Sequence, residues 1–216
     1  YNFTLPVVSI NNLATDFCQN DPIDAFDVTL TPSELCKSEI IRFEGDDVVD
    51  LLPGLLTFDF NGADPGVTSG SIDVSVYGDV GLSSEYWEIN NESGSNIGTI
   101  GDVTGTDCSS TFTGSIALTG ADITTWGADG VISFEADASN NVDPDVCTNN
   151  YVEITLNLCY APVITISGTG VTDNGDGTGD YNPNVIGTHD VVASATATGC
   201  TYYDTLEVTV HPVPVL

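Results

Sequence analysis

Basic residues are almost absent from this chain. Lys37 and Arg42 are its only lysine and arginine, against 32 aspartates and glutamates in 216 residues, so the formal net charge is −30. A field of this sign repels phosphate groups, which excludes nucleic acids and anionic membrane surfaces as partners. Most of the acids have no basic side chain to pair with, so they must face water, screening salt or bound cations.

Methionine and long apolar runs are absent as well. The missing methionine predicts that Tyr1 is not a translation start and that the chain is an excerpt or a processed product. No signal-peptide pattern is present, and no apolar run approaches the roughly 20 residues of a membrane helix, so we expect no direct membrane insertion. The apolar share of 41% is still large enough for packed cores.

Histidine is scarce, and the six cysteines include no C-x-x-C pair, so a structural zinc site is not expected. The even number of cysteines favours disulfides and an oxidising, extracellular location. No G-x-S-x-G motif occurs. A glycosidase-like pair of acids could be drawn almost anywhere among so many carboxylates and therefore carries no information. We expect no enzymatic activity.

Alternation of apolar and polar residues predicts strands with one buried and one wet face. The clearest segments are 26–30, 56–60, 72–76, 132–136, 152–158 and 206–210. The sequence Asn-Gly-Asp-Gly at 174–177 predicts a hairpin turn. Thr119 is expected to cap one short helix over 121–126 that stops at Gly127. The pattern predicts an all-β fold built from β-sandwiches.

The two ends of the chain are similar. Leu5-Pro6-Val7-Val8 stands near the beginning and His211-Pro212-Val213-Pro214-Val215 at the end, each beside a Thr-rich strand. Pro-Val segments suit short, semi-rigid linkers. We therefore expect one unit of a tandem array, whose partners are adjacent repeats of the same chain. Proline-containing terminal loops are the alternative explanation.

A resemblance to a known family rests on both ends of the sequence. Residues 6–21 contain a Pro-Val strand and an aromatic-Cys-x-Asn-Asp turn, and the Thr-rich strand 28–31 follows. This order resembles the opening of immunoglobulin-like repeats in giant bacterial surface proteins exported by the type IX secretion system. Segments between Ser167 and Thr201, including Tyr181-Asn182-Pro183 and the Gly-Cys at 199–200, resemble the second half of the same repeat.

The middle of the chain looks like a second module inserted into the first. Its strand Glu85-Tyr86-Trp87-Glu88-Ile89, followed by a glycine and Cys108, distantly resembles the CUB domain. The two resemblances imply an immunoglobulin-like outer domain, residues 1–35 plus 161–216, and an inserted jelly-roll or CUB-like sandwich, residues 36–160. Two consecutive domains with a boundary near Tyr160 are the alternative.

The nested arrangement implies a disulfide pairing. It joins Cys36 to Cys159 at the neck of the insert, Cys108 to Cys147 within the insert, and Cys18 to Cys200 in the outer domain. Six cysteines allow 15 pairings, so the sequence alone does not select this one.

Calcium is the one cofactor that the acids could hold, because it takes six to eight oxygen ligands. The candidate ligands are Asp79, Glu85, Asp129, Asp173 and Asp176. The first two flank one turn, and calcium-binding CUB domains use acids at comparable loops. Residues 172–177 approach the start of an EF-hand loop but have Thr at position 1 and no Glu at position 12. Solvated loop acids and a plain hairpin turn are the simpler explanations.

Three aromatic residues, Tyr86, Trp87 and Trp126, could form a platform on which a sugar stacks, unless the tryptophans fill the core. The resemblance implies a non-enzymatic repeat of a homo-oligomeric filament or adhesin on the bacterial cell surface, acting as spacer and lateral-assembly unit. The alternative function is a ligand-binding adhesin module whose inserted domain recognises a surface glycan with the help of calcium.

Overall fold

The structure is a computed structural model that describes residues 6–45, 55–62, 66–101, 105–143, 146–197 and 199–214. Leu5, Thr198 and Val215, which belong to the motifs above, lie outside these ranges. The chain divides into two compact units, Tyr1–Leu35 with Tyr160–Leu216, and Cys36–Cys159. The bounds agree to within one residue with the nested arrangement. Two consecutive domains do not describe this division, because the first unit takes in both ends of the chain.

The described residues are mostly in strands, with one short helix. In chain order the elements are β1 (Val7–Asn11), β2 (Asp16–Cys18), β3 (Asp24–Thr31), β4 (Leu35–Glu44), β5 (Leu55–Asn61), β6 (Val67–Tyr77), β7 (Tyr86–Asn91), β8 (Asn96–Gly101), β9 (Phe112–Thr119), α1 (Gly120–Trp126), β10 (Val131–Ala138), β11 (Tyr151–Tyr160), β12 (Val163–Gly168), β13 (Val171–Asp173), β14 (Thr178–Tyr181), β15 (Gly187–Ala197) and β16 (Cys200–His211).

The first unit, here called the outer domain, has two four-stranded sheets. Their strand orders are β1-β3-β14-β13 and β12-β15-β16-β2. Apart from the short edge strand β2, this is the A-B-E-D and C-F-G arrangement of an immunoglobulin sandwich. Buried residues of both sheets, among them Phe26, Tyr181 and Val208, form one core cluster. The inserted residues follow the second immunoglobulin strand and precede the third.

The second unit, here called the inserted domain, also has two four-stranded sheets. Their orders are β4-β11-β6-β9 and β5-β10-β7-β8. The first strand of the unit therefore lies beside the last, the second beside the seventh, the third beside the sixth, and the fourth beside the fifth. A long hairpin rolled up in this way is a jelly roll. The chain is an all-β protein of two sandwiches, as the sequence predicts.

Local predictions from the sequence are confirmed. Every second residue of β5 and β11 is buried, so the period-2 pattern marks the faces correctly. The hairpin at 174–177 joins β13 to β14, with the Asn174 amide donating to the Thr178 carbonyl at 3.1 Å. Thr119 caps α1 through a capping box. Its hydroxyl accepts from the Asp122 amide, and the Asp122 carboxylate accepts from the Thr119 amide.

Two of the three expected disulfides are present, Cys36–Cys159 and Cys108–Cys147. The third pairing is wrong, because Cys18 and Cys200 are free and exposed. Cys18 lies beside His211, the last residue of β16, whereas Cys200 is the first residue of that strand. At about 3.3 Å a residue, the two thiols are roughly 36 Å apart along the strand.

The two disulfides indicate an oxidising compartment, either extracellular or periplasmic. Within the part of the chain that the structure describes, no helix has the length and apolarity of a membrane span.

Candidate functional site

Three carboxylates meet at one end of the inserted domain. Asp79 follows β6, Glu85 precedes β7, and Asp107 lies between β8 and β9, and a carboxylate oxygen from each lies within 4.8 Å of the others. Asp79 and Glu85 are buried, with 7% and 6% of their surface exposed. We call these three residues the acid cluster. Buried carboxylates are rare unless they are paired or bind a metal ion.

Backbone amides hold each side chain of the acid cluster in place. The Asp143 amide donates to Asp79 at 2.7 Å, and the Gly81 amide donates to Asp107 at 2.8 Å. The Leu82 amide donates to the Glu85 carboxylate at 2.9 Å, so this hydrogen bond lies within the turn formed by residues 82–85. The loops that follow β6, β8 and β10 therefore converge on one cluster. Because the amides carry no full charge, the carboxylates' charges are not neutralised by them.

Burial raises the pKa of Asp79 and of Glu85 above their ordinary values of 3.8 and 4.5. The amides of Asp143 and Leu82 oppose the shifts, while the other carboxylates of the cluster add to them. No basic side chain contributes to either shift. Arg42 is engaged elsewhere, with Glu44 at 2.9 Å, Glu153 at 3.6 Å and the Tyr151 ring at 3.8 Å.

The donor set fits a hard cation such as calcium better than it fits zinc. Its ligand atoms are carboxylate oxygens, and calcium–oxygen bonds are about 2.3–2.6 Å long. Two ligands of one ion are then at most about 5.2 Å apart, and the three carboxylate oxygens of the cluster lie within this limit, since all are within 4.8 Å of one another. Thiolate and imidazole ligands, which zinc prefers, are absent from this group. Further oxygens from backbone or water would complete the shell.

The predicted metal ligands are only partly brought together. Asp79 and Glu85 meet as expected, but their third partner is Asp107 and not Asp129. Asp129 ends the 3-10 turn Gly127–Asp129 after α1 and accepts the Val131 amide at 3.0 Å. It is exposed. Asp129 lies outside the acid cluster because its loop belongs to the connection between β9 and β10, not to the three loops that converge.

The two acids of the 172–177 segment lie in the outer domain and serve its hairpin. The Asp173 carboxylate accepts the amides of Ile166 and Gly175. The Asp176 carboxylate accepts the amide and hydroxyl of Thr178, and the pKa of Asp176 is lowered by these hydrogen bonds. Both carboxylates accept hydrogen bonds from nearby donors, as expected if this segment is a plain hairpin turn.

Asp107 could not be chosen from the sequence, because it stands 22 residues after Glu85. The one available signal is its place next to Cys108. The disulfide Cys108–Cys147 joins the loop after β8 to the loop after β10, and those two loops supply Asp107 and the Asp143 amide.

The aromatic platform is not formed as predicted. Trp87 is a core residue with 2% of its surface exposed, because its position in β7 faces inwards. Trp126 is partly buried and packs edge-on against Phe134, with ring centroids 6.0 Å apart. Tyr86 alone lines a surface groove.

The groove has a volume of about 340 Å³ and lies between the start of β7 and the loop after β10. Its walls are mainly polar: Tyr86, Glu88, Asp137, Ala138, Ser139, Asn140 and Asn141. The Ser139 hydroxyl and the Asn141 side-chain amide both donate to the Ser84 carbonyl, at 2.8 and 3.2 Å. The loop after β10 thus lines the groove, bonds to the loop after β6 at Ser84, and supplies the Asp143 amide to the acid cluster.

Comparisons with known proteins add little. No protein-family model matches the chain, and no curated protein matches it significantly. Among solved structures, a β-1,2-glucanase from Parabacteroides distasonis is similar at 10% identity with a TM-score of 0.26. The match covers 84% of this chain and 37% of the glucanase chain. A likeness at this level carries no functional argument.

Proposed function

We propose that the chain is a non-enzymatic structural repeat of a long extracellular filament or adhesin on a bacterial surface, acting as a spacer between adjacent repeats. The resemblance of both chain ends to such repeats supports it. The observation that supports it most directly is the course of the first and last strands of the outer domain.

The first and last segments of the outer domain run side by side in the same direction. The Ile10 amide donates to the Asp204 carboxylate at 2.9 Å, and the Thr209 amide donates to the Thr15 carbonyl at 2.8 Å. Further on, β2 pairs in parallel with the end of β16. The domain therefore has an N-terminal pole, where β1 and β16 begin, and a C-terminal pole, where β2 and β16 end.

This geometry suits a unit that carries tension. A pull on both ends of the chain draws β1 and β2 towards the N-terminal pole and β16 towards the C-terminal pole. The hydrogen bonds between β2 and β16 lie across that direction, so they are loaded together in shear. The clamp formed by Asp16–Cys18 and 209–211 is extended by the Gln19 amide, which donates to the His211 carbonyl at 2.8 Å.

Single-molecule force spectroscopy tests this function. We expect the outer domain to unfold at high force when it is pulled through its two ends. Gln19→Pro, which removes the amide donor to His211, should lower that force clearly. Gln19→Ala, which keeps the amide, should leave it unchanged. Unfolding at a low force that neither variant alters would overturn the spacer function.

A second candidate function is a calcium-dependent module that binds a surface glycan through the inserted domain. The observation that favours it is that the loop after β10 both lines the groove and supplies the Asp143 amide to the acid cluster, and that it is hydrogen-bonded to the loop after β6 at Ser84. An ion bound by Asp79, Glu85 and Asp107 would hold those loops in place. Tyr86 would then offer a ring to the sugar, and Asn140 and Asn141 would offer amides.

Calcium binding is testable by thermal unfolding in high sodium chloride, which screens the general repulsion. A specific ion binds only the folded state, and at a hundredfold excess over its Kd it stabilises by about 2.7 kcal/mol. We expect the wild-type Tm to rise with calcium, and Asp79→Asn to abolish the rise. The matched control Asp129→Asn should preserve it. Equal Tm values with calcium and with chelator would exclude a specific calcium site. A glycan array run under both conditions would test whether the inserted domain binds a sugar and whether that binding needs calcium.

A further inference from the structure

Two thiols remain free in a chain whose other four cysteines are oxidised. Both are exposed, and both belong to the outer domain. Cys18 lies at the C-terminal pole beside His211, and Cys200 lies at the N-terminal pole as the first residue of β16. Since roughly 36 Å of strand separates them, they cannot pair within one copy. In an oxidising compartment, exposed thiols tend to find partners elsewhere.

We propose that Cys18 of one copy forms a disulfide with Cys200 of the next copy along the chain of repeats. This inference rests on the proposed spacer function, in which the C-terminal pole of each copy meets the N-terminal pole of its successor. The direction of β16 then decides the pairing. A junction between unlike poles brings together one Cys18 and one Cys200, and never two equivalent cysteines.

The bond forms by thiol–disulfide exchange with a small disulfide such as oxidised glutathione. The thiolate of Cys18 attacks one glutathione sulfur and releases the first glutathione as a thiolate. The thiolate of Cys200 then attacks the Cys18 sulfur of the mixed disulfide and releases the second. Two protein S–H bonds are replaced by one S–S bond, and the two electrons and two protons end on two molecules of glutathione.

The bond would make the filament stiffer at its junctions. A disulfide requires the two Cα atoms to lie about 4.4–6.8 Å apart, so the two poles must be in direct contact. A junction held by both the backbone linker and a side-chain bond cannot bend freely. Neighbouring copies each carry a charge of −30, and the bond would also hold them together against that repulsion.

Two tandem chains, each made of two full-length copies joined end to end, provide a matched test. In the first, the leading copy carries Cys200→Ser and the following copy carries Cys18→Ser, so the two thiols at the junction remain. In the second, the leading copy carries Cys18→Ser and the following copy carries Cys200→Ser, so only the two outermost thiols remain. The two chains have the same composition and differ only in where their free thiols lie.

Both chains are incubated dilute with oxidised glutathione in high salt, alkylated and weighed by mass spectrometry. We expect the first chain to retain no alkylatable thiol and to yield a linked peptide pair containing Cys18 and Cys200. The second chain should form no such pair. If neither chain forms the bond, or if both form it equally, the inference is overturned. The force measurement on single copies is independent of these thiols, so the spacer function would stand or fall separately.

Discussion

At the level of single residues, the carboxylates of this chain occupy two kinds of environment. Asp176 represents the first, because it is exposed and accepts hydrogen bonds that lower its pKa. Asp79 and Glu85 are the opposite case, because burial raises their pKa. The chain has only two basic residues to offset its acids. The negative charge of a buried carboxylate is therefore removed by protonation or balanced by a bound cation.

The raised pKa values predict how stability depends on pH when calcium is removed. The folded state holds its protons to a higher pH than the unfolded state does, so its stability decreases as pH rises from the ordinary values of 3.8 and 4.5 through the raised ones. We therefore expect the Tm in chelator to rise as the pH is lowered from neutrality towards those ordinary values. Thermal melts followed by circular dichroism will measure it.

The overall charge of −30 produces a trend in the same direction, so a control is needed. Asp79→Asn replaces one buried carboxylate by a neutral side chain of the same shape and leaves the surface acids in place. Its Tm in chelator should depend less steeply on pH than that of the wild type. Parallel curves for the two proteins would show that the surface charge alone causes the trend. With saturating calcium the wild-type trend should reverse, because the ion binds the deprotonated acids.

At the level of secondary structure, what the sequence predicts well is what depends on neighbouring residues. The alternation in β5 and β11 marks their buried faces, and the Asn-Gly-Asp-Gly turn marks a hairpin. The features that the sequence does not predict depend on the order in which strands far apart in the chain lie side by side. Asp107 joins the acid cluster only because the loops after β6 and β8 converge. Cys18 and Cys200 stay apart only because β2 is parallel to β16.

The same alternation could have excluded Trp87 from a surface platform. Trp87 and Ile89 are two residues apart and so face the same side of β7, and both are buried. Tyr86 and Glu88 face the other side and line the groove. The sequence therefore held the information on which residue of this strand is available to a ligand, whereas the choice of Trp126 depended on packing against Phe134.

The capping box of α1 offers a test of local structure. Thr119→Ala removes the hydroxyl that accepts the Asp122 amide, and an N-cap change of this kind costs about 1 kcal/mol. The helix packs through Ile123, which is fully buried, so the cost should be felt by the inserted domain. We expect the free energy of unfolding, measured in urea, to fall by about this amount.

Thr124 provides the matched control on the same helix. Its hydroxyl donates to the Gly120 carbonyl within the helix. Unlike the Thr119 hydroxyl, it does not accept a backbone amide that would otherwise lack a partner. Thr124→Ala should therefore change the free energy of unfolding by less than about 0.5 kcal/mol. Equal effects of the two substitutions would mean that the capping box does not contribute.

At the scale of the whole molecule, the neck disulfide decides which parts of the chain can carry tension. Cys36 and Cys159 are 123 residues apart in sequence, yet their Cα atoms lie 4.0 Å apart. A force that enters through the outer domain crosses from one cysteine to the other and bypasses everything between them. We therefore expect the inserted domain, with its acid cluster and groove, to stay folded when the outer domain opens.

This arrangement predicts the length released in a force experiment. With the neck disulfide intact, unfolding under tension should extend only the outer domain. After reduction, or in the double variant Cys36→Ser and Cys159→Ser, a second event should follow, in which the 123 inserted residues add roughly 430 Å of chain.

The double variant Cys108→Ser and Cys147→Ser removes a disulfide inside the inserted domain and leaves the neck closed. Its released length should equal that of the wild type, even though its inserted domain is less stable. If that variant also shows the additional extension without reductant, tension reaches the inserted domain by another route, and the neck does not protect it.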